Sequence, residues 1–167
     1  MTDWRPMARA DLPAVMRIAA VVHPDYPEDE AVFAERLALA PAGCLVLAGE
    51  RDELFGYGVS HPWPKGSLPA LNSLLGEIPA GTRDWYLHDL ALLPAVRGGG
   101  YAGSGVSRSV SIARDARCKS IALVAVNGSA GFWERQGFRA VHDPALAAKL
   151  ASYDDGARYM MRDLARD

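Results

Sequence analysis

Cysteine is scarce in this sequence: Cys44 and Cys118 are the only two in 167 residues. They lie far apart and form neither a disulfide framework nor a metal-ligating spacing. No apolar run approaches the ~20 residues needed to cross a bilayer. The opening Met-Thr-Asp-Trp-Arg-Pro lacks the apolar core of a secretion signal. These absences lead us to expect a soluble, cytoplasmic protein in a reducing setting, with no membrane partner. Charge of one sign is also missing. The net charge is −2, which excludes the basic footprint of a nucleic-acid binder. There is no internal repeat, low-complexity tract or charge block. What remains is an ordinary globular mix, 50% apolar and 23% charged, of a length that predicts one domain over residues 1–167.

Patterning predicts a mixed α/β domain in the order β-α-α-β-β-β-α-β-α-β-β. Trp4 to Arg9 reads as a first strand. Asp11 and Pro13 open a helix carrying Val15, Ile18, Ala19 and Val22 at helical spacing, with Asp11 as its expected cap. A Pro- and acid-rich break, His23 to Glu30, leads to a second helix over Glu30–Ala40. Cys44–Gly49 and Leu54–Ser60 form a hairpin. Trp63–Gly81 is a long loop, of a kind often functional. Trp85–Leu93 reads as a central strand, Gly103–Ala116 as a helix, and Ser120–Val126 as a buried strand. Ser129–Gln136 is a short helix closed by Gly137. Phe138–His142 and Ala157–Leu164 are further strands, with a helix over Pro144–Leu150 between them.

The stretch from Asp84 to Phe138 organises the rest. A strand runs into three consecutive glycines, Gly98, Gly99 and Gly100, and these open a helix. Without Cβ atoms, the backbone there can approach an anion closely. The helix dipole adds partial positive charge, so the layout predicts a diphosphate site. Gly98-x-Gly100-x-x-Gly103 matches the nicotinamide-dinucleotide spacing literally. That fingerprint also needs an acid at the end of the next strand, where Val126-Asn127 stands instead. No Gly-x-x-x-x-Gly-Lys-Ser/Thr loop for nucleoside triphosphates is present.

A second template fits better. Arg97-Gly98-Gly99-Gly100-Tyr101-Ala102 matches Arg/Gln-x-x-Gly-x-Gly/Ala. Asn127 follows, then Ala130-x-Phe132-Trp133-Glu134-x-x-Gly137-Phe138. This combination resembles the GNAT superfamily of N-acetyltransferases, over the whole chain in element order and over Leu87–Phe138 in motif detail. The resemblance implies the single-domain acyl-CoA N-acyltransferase fold, a central mixed, mostly antiparallel sheet flanked by helices. It implies acetyl-CoA as the acetyl donor and no metal. The pyrophosphate would lie on the backbone N–H groups of Arg97, Gly98, Gly99, Gly100, Tyr101 and Ala102; the Arg97 side chain itself is either part of this grip or merely solvated. The pantetheine arm would pair with the strand edge at Leu90, Ala91 and Leu92, with Leu92 N–H facing the thioester oxygen. Asn127 would bond the pantetheine, and Phe132 and Trp133 would line the thiol end.

Amine acylation needs a base, because a lysine-like amine with a pKa near ~10.4 arrives protonated. Strand alternation predicts Tyr86, His88, Leu90 and Leu92 on one face. The family commonly carries a Glu base on this face; here Tyr86 and His88 occupy it. His88 is the candidate base, the alternative being a structurally paired histidine. Asp89 is expected to point the other way as a structural hydrogen-bonder, unless the strand is bulged there. Trp133 departs from the family's usual Tyr, whose role is to protonate the leaving thiolate; an indole N–H supplies no such proton. Tyr101, Tyr153 or Tyr159 could replace it, or the thiolate could leave unaided. Cys118 reads as a small buried hydrophobe.

The acceptor would meet His23, Asp25, Tyr26, Glu28, Asp29, His61 and Trp63, acids and aromatics that suit a cationic amine. An acid-rich helix start explains the same acids equally well. A small-molecule or peptide amine is therefore the expected partner, and an apolar strand edge allows a homodimer. A non-catalytic acyl-CoA sensor of the same fold and a nicotinamide oxidoreductase are the competing readings.

Overall fold

The computed structural model describes residues 1–165. Its elements are β1 (Asp3–Pro6), α1 (Leu12–Val22), α2 (Glu30–Leu39), β2 (Cys44–Ala48), β3 (Leu54–Pro62), β4 (Asp84–Leu92), α3 (Tyr101–Asp115), β5 (Ser120–Ala125), α4 (Ala130–Arg135), β6 (Arg139–Ala140), α5 (Ala147–Ala151) and β7 (Arg158–Asp163). The strands form one seven-stranded sheet, in the order β1-β2-β3-β4-β5-β7-β6. Only β4 and β5 run parallel; the other pairs are antiparallel. An open parallel sheet, which a nicotinamide fingerprint needs, is thereby excluded.

Alternating strand residues divide the core between the two faces. On one face α1 and α2 bury Val15, Ile18 and Phe33 against Val46, Tyr57, Val59 and Ala91. On the other, α3 buries Val106, Val110 and Ala113 against Trp85, Leu87, Ile121 and Leu123. Cys118 belongs to this second core, as expected of a small hydrophobe.

Four expectations need correction. The first strand stops at Pro6 rather than Arg9. The Asp11 carboxylate captures the Ala8 N–H at 2.7 Å and turns the chain into a 3₁₀ turn. Engaged there and by Arg5 at 2.8 and 2.9 Å, Asp11 does not cap α1 with its side chain. The penultimate strand is only Arg139–Ala140, because Asp143 accepts the Ala145 N–H and starts a new turn.

The fourth correction bears on function. Along the β3–β4 ladder, Val59 pairs with Asp89 but Ser60 pairs with Leu87. His88 is the extra residue of a β-bulge, which resets the alternation. Asp89 and Ala91 therefore face α1 and α2, Tyr86 packs against Leu68, Leu146 and Tyr159, and Leu87, Leu90 and Leu92 face α3. The expected single face of Tyr86, His88, Leu90 and Leu92 does not exist. His88 and Asp89 both lie toward the α1–α2 side, where each meets a partner.

Candidate active site

The sheet splits at its centre. β4 and β5 pair only at Asp84–Tyr86 with Ser120–Ala122. Beyond that, β4 continues beside β3 as far as Leu92, and β5 continues beside β7 as far as Ala125. The space between them is a cleft of about 520 Å³, floored by Leu87 to Leu90 and walled by His23, Glu28, Phe132, Trp133 and Tyr153. Leu93 N–H donates to Phe55 O at 2.8 Å, toward β3. Successive amides along a strand point to opposite edges, so the N–H groups of Leu92 and Leu90 point into the cleft. Arg97 Nε donates to Leu92 O at 3.2 Å on that same edge. The Arg97 guanidinium is thus tied to the strand through Nε, while the residue stays exposed to solvent.

At the wide end of the cleft, Arg97 N–H bonds Pro94 O, and Ser104 N–H bonds Gly100 O. Among the described residues, no amide from Gly98 to Gly103 donates to a backbone carbonyl. Helix starts leave such donors unsatisfied. Gly98 and Gly100 adopt φ +83° and +81°, a left-handed conformation costly for other residues. That conformation turns consecutive N–H groups the same way, as in an anion-binding nest. Asn127, also at positive φ, lies across the cleft. Its N–H donates to Asp154.

At the narrow end, two histidine–carboxylate pairs lie side by side. His88 Nε2 meets Glu28 Oε1 at 2.7 Å, and His23 Nε2 meets Asp89 Oδ1 at 2.7 Å. Tyr57 OH donates to the second Asp89 oxygen. Burial works against the Glu28 charge, but His88 and the Asn72 N–H outweigh it and hold its pKa below the usual range. Glu28 is therefore an acceptor only, so His88 Nε2 carries the hydrogen of this bond and Nδ1 is the ring nitrogen it leaves uncommitted. Burial likewise opposes the Asp89 charge, and His23 and Tyr57 overcome it. For His23, burial favours the neutral ring, yet the Asp89 carboxylate prevails and raises its pKa.

The remaining predicted residues separate. His23, Tyr26 and Glu28 line the cleft, whereas His61 and Trp63 do not. His61 is fully buried beneath Tyr86, and burial lowers its pKa to about 4. Tyr86 is itself buried, hydrogen-bonded to Tyr153. Of the three tyrosines considered as acids, Tyr153 lines the cleft; Tyr101 packs beside Trp4, and Tyr159 accepts from Gly66 N–H. Trp133 packs edge-on against Phe132 and Phe138.

The loop between β3 and β4 forms a strap across this narrow end. On one side Gly66 N–H donates to Tyr159 OH, and Lys149 Nζ to Leu68 O at 2.7 Å. On the other, Asn72 N–H donates to Glu28, and Asn72 Oδ1 accepts from Asp29 N–H. Leu75 and Gly76 N–H both donate to Glu35. Fully buried Arg36 bridges Glu35 and Ser73 O, at 2.9 Å each. Leu71, between these anchorages, lines the cleft. These anchors, and the partners of His88 and Asp89, join residues far apart in sequence; Glu28 was visible only as one of several acids.

A parallel strand pair parted at the centre of the sheet and a glycine loop on a helix start mark the acyl-CoA N-acyltransferase fold. The chain belongs to the acetyltransferase (GNAT) family, whose model matches residues 3–138. No curated protein matches it by sequence. Among solved structures it is similar to the GphF GNAT-like decarboxylase in complex with isobutyryl-CoA, at 18% identity and TM-score 0.81, covering 97% of this chain and 99% of that one. It is similar to the loading GNATL domain of CurA from Lyngbya majuscula, at 12% identity and TM-score 0.79, covering 100% of both. A chain of the NatC complex bound to Gag peptide and CoA gives 16% identity and TM-score 0.74, covering 97% and 98%. At these identities the likenesses establish the fold. Among the described residues, no helix is long and apolar enough to cross a membrane.

Proposed function

We propose that this protein transfers an acetyl group from acetyl-CoA to a primary amine, in the cytoplasm and without a metal. The observation that carries the reading is the row of unsatisfied amides from Gly98 to Gly103 at the mouth of a cleft edged by Leu90 and Leu92. A pyrophosphate suits the amides, and an extended amide-bearing arm suits the strand edge. The bound thioester would supply an activated acyl carbon. Leu90, Ala91 and Leu92 would align the arm, with Leu92 N–H aimed at developing negative charge on the carbonyl oxygen. Asn127 would bond the arm, and Phe132 and Trp133 would exclude water around the sulfur.

His88 would take the amine proton at Nδ1, directly or through one water, while Glu28 steadies the resulting imidazolium at Nε2. Tyr86 would act by holding Tyr153. Tyr153, whose pKa burial raises, is the cleft-lining hydroxyl of the three candidate acids; its hydrogen, donated to Pro69 O at 3.4 Å in the structure, would turn to meet the departing sulfur.

Trp133 favours a second reading, a sensor that binds acyl-CoA without turnover, since it puts an indole where the family usually has a phenol. Incubation with acetyl-CoA and a panel of amines, with thiol release as the readout, separates the two. Amine-dependent release supports the enzyme; tight binding without release across the panel supports the sensor. Calorimetric binding of NAD but not CoA would refute both.

A further inference from the structure

We infer that the acceptor site admits a compact free amine and excludes the N-terminus of a polypeptide. The inference rests on the acyl-transfer reading and narrows its substrate class. Three connections meet at the narrow end of the cleft: residues 23–29 between α1 and α2, the strap 63–83, and residues 141–157 between β6 and β7. They are bonded to one another. Tyr26 OH donates to Asp154 Oδ2 at 3.1 Å, and the Tyr26 and Tyr153 rings lie 6.4 Å apart. Asp154 is held in turn by the N–H groups of Asn127 and Gly156, at 3.2 and 2.7 Å. The strap closes the remaining side through its bonds to Glu28, Asp29 and Glu35.

A polypeptide needs a groove running away from the reacting amine, at roughly 3.3 Å or more per residue. It also needs unpaired backbone to dock on. Here two backbone donors beside the narrow end are already taken, Asn72 N–H by Glu28 and Asp29 N–H by Asn72, and at the wide end Asn127 N–H is taken by Asp154. The cleft of about 520 Å³ must hold the thioester arm as well as the acceptor. Its inner wall is aromatic and apolar, formed by Tyr26, Tyr86, Tyr153 and Leu71. Both cleft carboxylates, Glu28 and Asp89, are committed to histidines. That wall suits a hydrocarbon or aryl body carrying one amine, which the tyrosine faces can hold as a cation before deprotonation.

Two CoA conjugates test this without requiring turnover. In one, the sulfur is joined through an acetyl bridge to phenethylamine; in the other, through the same bridge to the N-terminus of a tetrapeptide. Calorimetry on the wild-type protein should show the amine conjugate binding at least as tightly as CoA, and the peptide conjugate about tenfold or more weaker than it. Tyr26→Ala, which unlocks the α1–α2 connection from the β6–β7 connection, should narrow that gap to about threefold or less. Tyr26→Phe, which removes only the hydrogen bond, serves if the alanine variant does not fold. A peptide conjugate that binds wild-type protein as tightly as the amine conjugate would overturn the inference while leaving acyl transfer intact. Failure of CoA and both conjugates to bind would overturn the acyl-transfer reading and the inference with it.

Discussion

Asp89→Asn should invert the pH response of the cleft. In the native protein Asp89 carries a buried charge that accepts from His23 and Tyr57. The substitution keeps the shape but removes the charge. Hydrogen bonds to a charged group contribute about 1.5–3 kcal/mol each, against roughly 1 kcal/mol for neutral ones. Asparagine can still accept from Tyr57, so the expected loss is about 2–4 kcal/mol. At ~2–4 °C per kcal/mol for a chain of this size, the melting temperature should fall by about 5–15 °C near pH 6.

The sign follows from linkage. The His23 pKa is raised in the folded state, so its contribution is complete below its unfolded value near ~6.5. It fades as pH rises through the raised value. The Asp89 pKa is lowered, so its contribution is complete above ~3.9 and fades as pH falls through the lowered value. Both therefore act between about pH 4 and 6.5. In the variant, burial acts on His23 with only the Glu28 carboxylate, which His88 engages, left to oppose it. Its pKa should drop below ~6.5, and stability should then decline as pH falls through that value. Imidazole NMR titration of His23 and thermal melts across pH 5–8 measure both effects. An unchanged His23 pKa, or equal melting temperatures at pH 6, would refute the reasoning.

His88→Gln should lower kcat by about two to four orders of magnitude with CoA affinity little changed, as expected for loss of a general base; steady-state kinetics beside calorimetry would check it. Glu28→Gln should leave a slower enzyme whose acidic limb of kcat/KM against pH moves to lower pH, since the carboxylate no longer steadies the imidazolium. Glu35→Ala strips Arg36, Leu75 and Gly76 of their common acceptor. It should cost about 3–5 kcal/mol, read as a fall in melting temperature, because Arg36 is left with an unbalanced buried charge. Gly100→Val, at φ +81°, should weaken CoA binding about tenfold by forcing the loop out of its left-handed turn at a cost of about 1–2 kcal/mol.

Much of the frame was legible because it is local. Apolar spacing marked Val15 and Ile18 on one helix and Val106 and Val110 on another, and the run from Ser120 announced a buried strand. The glycine loop, Asn127 and the Phe132–Phe138 motif are contiguous enough for pattern alone. The inner site was not legible, and one residue explains most of that. Period-two alternation assumes an unbroken ladder, and the extra residue at His88 shifts every side chain that follows to the other face. The partners of His88 and Asp89 come from the α1–α2 segment, and nothing in the spacing of Glu28 or His23 declares which carboxylate meets which ring. The strap was foreseen as a long loop, but its bolts, such as Glu35 to Gly76, are visible only once the chain is folded. His61 looked like an acceptor ligand because histidine near tryptophan is conspicuous in a sequence; burial makes it part of the core.

The central claim is that a CoA diphosphate rests on the amides opening α3 while its arm runs along β4. Titrating labelled protein with CoA and following backbone amides by NMR tests this most directly. The account predicts the largest shifts at Gly98 to Ala102, with Leu90 and Leu92 following. Saturating CoA that left those amides unmoved, or moved a different part of the surface, would contradict it.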